Sequence, residues 1–529
     1  MSATTAPAGR TTAPLGPWLV PLMAALTAAL VFRGSLAYFF TQDDFLGLAR
    51  ARHLAPALTG PWRWVSGQGY FELMRGFGVA RALPYHAVSL IAHAGASALL
   101  GFVLGRRFAP PAAACGAVFF AAHPAVYTAV YSVSGIGEIL AGLGTIAAIA
   151  VAARGDAWKW AALPLFALAL LSKESVILLP LALLPAPGLL APLRPTPAGP
   201  RSPWNSRAIV IGLGAVSIAI GAVLLATDVF GVKTHLSPAA PYAVSFGPHV
   251  LANLGTYLGW TLNVCVLSMS GFEDAVDPGV FPWAVVAVLL WGIGLMTRAP
   301  RARGLAAAGL AYLLLLIPVL GLSHHTYHYY LYTPLMAAAW CVAAALDAAM
   351  ERPAAPAKAR GAAPHRARSR AVQWVAWSLA ALMAVNGAIV VRKIETFPFS
   401  DPRLRSDALV DRALIAERVR DGLAAAAIPA GAPLVFWSPA SIRAERIAHP
   451  ERDPMLAESY WERNVRSALM DGLAIRVLFP ATGDVSFVHA YQSAPAPARV
   501  VLYDVDGQLK VLPAPTLDSL MAAHPEDRP

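Results

Sequence analysis

The sequence predicts an all-α polytopic membrane core of about eleven transmembrane helices, each about 20 apolar residues long, followed by a small C-terminal α/β domain. The composition is 57% apolar and 13% charged, with a mean hydropathy of +0.56, which is typical of a chain solvated mainly by lipid. Charge divides the chain: residues 1–391 carry 25 Lys and Arg against 12 Asp and Glu, whereas residues 392–529 carry 16 against 18. The basic excess therefore belongs to the apolar part.

The basic residues of that part lie in short loops between apolar stretches, near positions 106–107, 194–207, 298–303 and 352–370. Such clusters mark the cytoplasmic side of a membrane protein, so the net charge of +11 indicates topology and no nucleic-acid partner is expected. The lipid bilayer is the expected partner, and the N-terminus is predicted to be cytoplasmic in an inner or plasma membrane. The predicted crossings centre on Ala25, Ile91, Phe119, Thr145, Phe166, Ala182, Ser217, Ala287, Tyr312, Ala339 and Leu379.

Three regions follow from this patterning. Residues 1–14 are predicted to be a disordered cytoplasmic tail, residues 15–391 the transmembrane domain, and residues 392–529 a soluble extracytoplasmic α/β domain. Within the last region, helical periodicity covers 405–427 and strand-like runs cover 433–437, 475–479, 485–489 and 500–504. Residues 250–269 are predicted to be re-entrant or interfacial, because a crossing there would move the 298–303 cluster to the outer side. An ordinary span with a different loop order is the alternative.

Ionisable residues at the outer ends of the apolar stretches are the first candidates for function, since charge near hydrocarbon is costly. Asp43 and Asp44 directly follow the apolar run at 15–40. The same predicted side holds further polar side chains, namely Glu138, Lys173, Glu174, His324, His325, His328 and Tyr330. Cys and His do not show the spacing of a zinc site.

Several motifs in order resemble the C-type membrane glycosyltransferases (the GT-C superfamily), in particular the protein O-mannosyltransferases and the tetratricopeptide-linked mannosyltransferases. The acid pair after a long first helix is one of them. The others are residues 84–93, similar to "HLVNLLLH"; His123, Pro124, Ser134, Gly135 and Glu138, similar to "HPxxxExxxWxSGRxDLL"; Leu171 to Glu174, similar to "LLxKE"; and Tyr330, Leu331, Tyr332 and Pro334, similar to "RYLYLP". The chain departs from these patterns at Thr128, Ser132, Ile136 and Tyr329, so no role is carried over there.

The resemblance covers about the first 350 residues and implies that residues 15–391 form a GT-C-like catalytic domain. It implies transfer of a sugar, hexosyl or pentosyl, from a polyprenyl-phosphate donor to a protein, lipid or glycan acceptor at the outer membrane face. Such a reaction needs a base for the acceptor, cations for the departing phosphate and a groove for the prenyl chain.

The acid pair supplies the expected base. We favour Asp43, because neighbouring side chains diverge and both cannot reach one proton. Asp44 would then cap the following helix, bind a divalent cation or pair with Arg33. No cofactor is predicted with certainty, and a divalent cation at Asp43 or Asp44 is left open. A purely structural cap in a solvated loop is the alternative for the pair.

Lys173 is the first candidate to bind the donor phosphate, with Arg75 and Arg81 next. The alternative for Lys173 is a snorkelling side chain neutralised by Glu174. Arg50, Arg52 and Arg63 are interpreted as surface charge.

The remaining candidates, Glu138, Glu174, His324, His325, His328 and Tyr330, are expected to bind substrate. For the histidine and tyrosine run, an interfacial aromatic belt is an equal alternative. A transporter or flippase, or a sugar-polymer ligase, remains an alternative function for the chain as a whole.

Overall fold

The computed structural model describes residues 16–58, 60–154, 157–184, 204–227, 243–262, 280–296, 299–323, 326–350, 363–396, 407–437, 460–487, 498–503 and 509–513. These residues are mainly helical. The transmembrane region contains α1 (Leu19–Val31), α2 (Asp43–Ala51), α3 (Tyr70–Met74), α4 (Leu83–Gly105), α5 (Pro110–Ala121), α6 (Tyr127–Tyr131), α7 (Ile136–Ala152), α8 (Ala162–Ser172), α9 (Leu179–Leu183), α10 (Trp204–Ala226), α11 (Pro248–Leu262), α12 (Phe281–Leu295), α13 (Ala299–Leu320), α14 (Tyr332–Met350) and α15 (Ala363–Thr396).

Within the described ranges, four helical segments are long and apolar enough to cross a bilayer: 83–105, 207–226, 328–350 and 370–396. The helices α5 and α6 count as a fifth if the pair, bent by 42°, is one span, and six shorter apolar helices accompany them. Every predicted span centre falls inside one of these helices, so a multi-span membrane protein is confirmed, whereas the number eleven stays a prediction. Leu22, Leu26 and Leu30 are exposed along α1, as an element facing lipid requires.

The centre of the helical core is α5, which packs against α1, α4, α14 and α15. Its sequence is rich in alanine and includes one glycine, Gly116, and every residue from Pro111 to Ala121 is buried. A side chain at Gly116 would lie 2.5 Å from the carbonyl oxygen of Ala339 on α14. Small residues therefore allow the helix backbones to approach closely, as is usual between membrane helices.

The stretch predicted to be re-entrant forms the helix α11 up to Leu262, and positions 263–269 lie outside the described residues. Its polar side chains face the protein. The Asn253 amide donates to the carbonyl oxygens of Leu320, at 3.1 Å, and Leu322, at 2.9 Å. The hydroxyls of Thr261 and Tyr312 lie 2.6 Å apart. These contacts explain how polar residues are accommodated at this depth, and the re-entrant or interfacial placement stays a prediction.

The C-terminal module contains α16 (Ala408–Ala425), β1 (Leu434–Trp437), α17 (Tyr460–Ala468), α18 (Leu473–Leu478), β2 (Val485–Phe487), β3 (Arg499–Tyr503) and β4 (Leu509–Pro513). The strand order is β2-β1-β3-β4, with β1 parallel to both neighbours and β4 antiparallel to β3. Three predicted strands are confirmed. The predicted strand at 475–479 is wrong: the run belongs to α18, because a short apolar run does not distinguish a buried helix from a strand. The strand β4 was not predicted.

Candidate active site

The acid pair opens α2, and the structure separates its two carboxylates. Asp43 is exposed, whereas Asp44 is 0% exposed. One oxygen of Asp44 accepts from the backbone N–H of Ser134 at 2.7 Å and from the Ser132 hydroxyl at 3.1 Å, and the other accepts from the backbone N–H of Thr41 at 3.1 Å. Burial raises the pKa of the Asp44 carboxyl from 3.8 to about 6, against the opposing effect of these hydrogen bonds. Asp44 therefore anchors the start of α2 to the segment between α6 and α7.

The residue before the pair has an unusual backbone. Gln42 has a φ of 48° and a ψ of −124°, in a region that side-chain-bearing residues seldom adopt. Strained backbone of this kind concentrates at functional sites. The turn directs Asp43 outward while Asp44 points into the protein.

Lys173 and Glu174 lie at the break between α8 and the turn at 174–176, and each finds a different partner. Lys173 has extended backbone (φ −158°, ψ 133°), so the two successive side chains point in different directions. The Lys173 ammonium lies 3.2 Å from a carboxylate oxygen of Glu138 on α7. Glu174 instead forms a bidentate ion pair with Arg63, whose Nε lies 2.9 Å from one carboxylate oxygen. Lys173 is therefore paired with Glu138, and the predicted alternative partner Glu174 binds Arg63.

The second carboxylate oxygen of Glu138 accepts a hydrogen bond from the Ser175 hydroxyl at 3.2 Å. Two aromatic rings complete the surroundings of Lys173, because its ammonium lies 5.3 Å from the ring centroid of Tyr329 and 5.6 Å from that of Tyr330. An ammonium at this distance from a tyrosine ring is attracted by its π-electrons. Tyr330 thus joins the predicted residues Glu138 and Lys173 in one cluster.

Two arginines interpreted as surface charge are instead half-buried. Arg63 carries the pair with Glu174 and lies over the Trp62 ring, 4.6 Å from its centroid. Burial lowers the pKa of the Arg50 guanidinium and the nearby charge of Asp43 opposes this effect. Both arginines flank Gly67. The flanking residues Trp62 and Trp64 were an indication in the sequence that Arg63 is more than surface charge. No local pattern identified Glu174 as its partner.

The other predicted residues lie elsewhere. His328 is buried and stacks on Trp260 of α11 with ring centroids 4.0 Å apart. Arg75 and Arg81 are exposed and lie outside the contacts around Lys173. His324 and His325 fall outside the described residues. The substrate and phosphate roles of these five residues stay predictions.

Metal binding at the acid pair also stays a prediction. Across the part of the chain that the structure describes, no three His, Cys, Asp or Glu side chains are placed to hold one metal ion. Asp44 uses its oxygens for backbone and hydroxyl donors. Asp43 is the exposed carboxylate of the pair and could contribute a single ligand.

An apolar cleft lies between α4, α7, α9, α13 and α14. Its walls include Thr145, Leu179, Leu315, Met336 and Trp340. Thr145 lies seven residues beyond Glu138 on α7, or about two helical turns. The cleft is therefore separated from the charged cluster by only a short length of the same helix.

No family model matches the chain, and no curated protein sequence matches it. Among solved structures, the chain is similar to the crystal structure of ArnT from Cupriavidus metallidurans bound to undecaprenyl phosphate. The identity is 15% and the TM-score 0.49, and the match covers 97% of this chain and 95% of that chain.

Proposed function

We propose that this protein is an integral membrane glycosyltransferase that moves a sugar from a polyprenyl-phosphate donor to an acceptor hydroxyl or amine. Three observations support the proposal: Asp43 is an exposed carboxylate whose charge acts on Arg50, Lys173 and Glu138 form a buried ion pair, and an apolar cleft begins two turns along α7 from Glu138. Base, cations and prenyl groove are the three parts such a reaction requires.

In the proposed reaction, the acceptor oxygen or nitrogen forms a bond to the anomeric carbon of the sugar. The bond between that carbon and the phosphate oxygen breaks, and its electron pair leaves with the polyprenyl phosphate. The acceptor proton passes to Asp43. The departing phosphate gains one negative charge, and we assign its stabilisation to the cationic side chains of Lys173 and Arg50.

The choice of Asp43 as the base follows from access. The oxygens of Asp44 already accept three hydrogen bonds, and its side chain is 0% exposed. An acceptor could reach Asp44 only after the 132–134 segment moved away. Asp43 lies one residue earlier, is exposed, and interacts with the charge of Arg50. We assign proton removal to Asp43 and loop anchoring to Asp44.

The cleft is the proposed site of the prenyl chain. Leu179, Leu315 and Met336 give it apolar walls, as binding of a hydrocarbon chain requires. A lipid whose tail occupied the cleft would carry its phosphate toward Lys173, because Glu138 and the cleft residue Thr145 share α7. We propose a mannosyltransferase-like donor requirement and an outer-face site, with the C-terminal module on that same side.

The test uses the full-length protein in detergent with radiolabelled polyprenyl-phosphate sugars, and measures both transfer and donor hydrolysis. Loss of a general base lowers turnover by about 10²- to 10⁴-fold, so Asp43→Asn should fall by at least about 10²-fold. The matched control is Glu72→Gln on α3, which removes a nearby carboxylate and should turn over like wild type. Wild-type turnover in Asp43→Asn would refute the assignment. If the wild type turned over none of the donors, the result would favour a transporter or a ligase.

The proposed sidedness has its own test. Reporter fusions after Arg107, Lys173 and Arg392 should report the cytoplasm for the first and the outside for the other two. A cytoplasmic signal after Lys173 would place the charged cluster on the wrong side for an outer-face donor.

A further inference from the structure

The C-terminal module holds both ends of α2, the nine-residue helix that presents the acid pair. Just before the helix, the backbone N–H of Gln42 donates to the carbonyl oxygen of Ala468 at 3.3 Å. Just after it, the Arg52 guanidinium donates to the carbonyl oxygen of Val477 at 2.7 Å. The two acceptors lie only nine residues apart in the module. One short segment, 468–477, therefore spans the whole length of α2.

Both chain segments that meet near Gln42 and Ala468 include residues with unusual backbone angles. Gln42 has a positive φ angle, and so do Met470, Asp471 and Gly472 in the module. Left-handed residues with side chains persist only where the surroundings fix them. The hydrogen bond between Gln42 and Ala468 thus joins two turns that both contain side-chain-bearing residues of positive φ.

The module also supports the opposite side of the acid pair through α6. The Tyr127 hydroxyl donates to Asp407, the cap residue of α16 in the module, and the Tyr131 hydroxyl donates at 2.5 Å to Glu395 near the C-terminal end of α15, the helix that precedes the module in the chain. These tyrosines are four residues apart, one turn along the same face of α6. The next residues along the chain include Ser132, whose hydroxyl donates to Asp44.

A further contact ties the module to the segment before α4. The Arg420 guanidinium donates to the carbonyl oxygen of Ala80 at 3.2 Å and lies over the Phe39 ring, 4.3 Å from its centroid. Phe39 itself packs against Phe45 of α2. The C-terminal module therefore contacts α2 directly and also contacts the residues that pack beneath it.

We propose that the C-terminal module is a positioning element of the active site, in which Arg52 and the 468–477 segment fix the orientation of Asp43. The inference rests on the proposed function, because it gives the module the role of positioning Asp43, the base of the proposed reaction. It differs from an independent carbohydrate-binding or protein-contact domain, which would need no hydrogen bonds to both ends of α2. Arg52 acts through the helix and does not touch the reacting atoms.

The deciding variant is Arg52→Ala in the full-length protein, compared with Arg52→Lys, which keeps a donor. The control is Arg418→Ala, which removes an exposed arginine of the module on α16, outside the 468–477 segment. Because a displacement of about 1 Å can cost 10²-fold in rate, Arg52→Ala should lower kcat by about 10- to 100-fold with the donor KM changed less than about 2-fold. Amide hydrogen exchange in residues 43–51 should be faster, and Arg52→Lys should restore part of both.

A wild-type kcat in Arg52→Ala, or unchanged exchange in residues 43–51, would overturn the inference. A change in the donor KM with kcat unchanged would also overturn it, because the residue would then affect binding and not the base. Tyr127→Phe is a second test of the same support, made from the α6 side. It removes the hydrogen bond to Asp407 and should accelerate amide hydrogen exchange in residues 132–134. If the wild type turns over no donor, the proposed function fails, and the exchange measurement alone then decides whether the module holds α2.

Discussion

Replacing Lys173 by methionine should separate the structural role of its charge from its catalytic role. Lys173 is 8% exposed and its ammonium lies 3.2 Å from Glu138, which is 2% exposed. Removing one partner of a buried ion pair leaves the other charge uncompensated, and this costs about 3–5 kcal/mol. Lys173→Met should therefore lower the free energy of unfolding by about that amount. Met is a suitable replacement because it retains most of the apolar stem.

The double variant Lys173→Met/Glu138→Gln removes both charges at once. Replacing a buried pair by uncharged groups of similar volume is often close to neutral, so the double variant should recover to within about 1 kcal/mol of wild type. Its turnover should not recover. Removal of a fixed group that stabilises transition-state charge costs about 10²- to 10³-fold, and the double variant still lacks the cation.

The assay pairs two measurements on the same purified samples: thermal unfolding followed by tryptophan fluorescence, and donor turnover. Lys159→Met is the matched control, because Lys159 is a partly exposed lysine that lies against the Trp160 ring. Full turnover in the double variant would refute the catalytic role of Lys173 and leave only the ion pair. Unchanged stability in Lys173→Met would refute the ion pair itself.

Three further outcomes follow from individual contacts. Because burial raises the pKa of Asp44 from 3.8 to about 6, the folded protein binds more protons than the unfolded chain between these values. Wild-type stability should therefore fall by up to about 3 kcal/mol as pH rises through this window, and unfolding of Asp44→Asn followed from about pH 4 to about pH 7 should lack that component. Arg63→Lys cannot keep the bidentate ion pair with Glu174 and should lower the free energy of unfolding by about 1–3 kcal/mol; an unchanged unfolding midpoint would contradict the pair. Asn253→Ala leaves two backbone carbonyls without their donor and should cost about 1–3 kcal/mol by the same measurement, whereas a stability within error of wild type would show that α11 does not depend on this side chain.

Local patterns in the sequence predicted the helices well and the charged contacts only in part. The predicted centres Ala25, Phe119 and Leu379 fall in apolar helices because hydropathy is a property of consecutive residues. The run at 475–479 was predicted wrongly, because a short run of four apolar residues and one arginine fits a partly buried helix as well as a strand. Arg63 was interpreted as surface charge although its carboxylate partner is Glu174, 111 residues away. A partner so distant in sequence leaves no periodic signal.

The sequence by itself determined that this chain is a helical membrane protein with an acid pair after its first apolar stretch and a Lys-Glu pair between two others. Composition, charge asymmetry and motif order are sufficient for this, because all three are read along the chain and none depends on which distant segments pack together. Only the tertiary structure decided that Asp44 is buried and Asp43 exposed, and that Lys173 pairs with Glu138. It also decided that the C-terminal module holds both ends of α2. These outcomes depend on the backbone conformation at single residues and on packing between distant segments, neither of which is encoded in a local pattern.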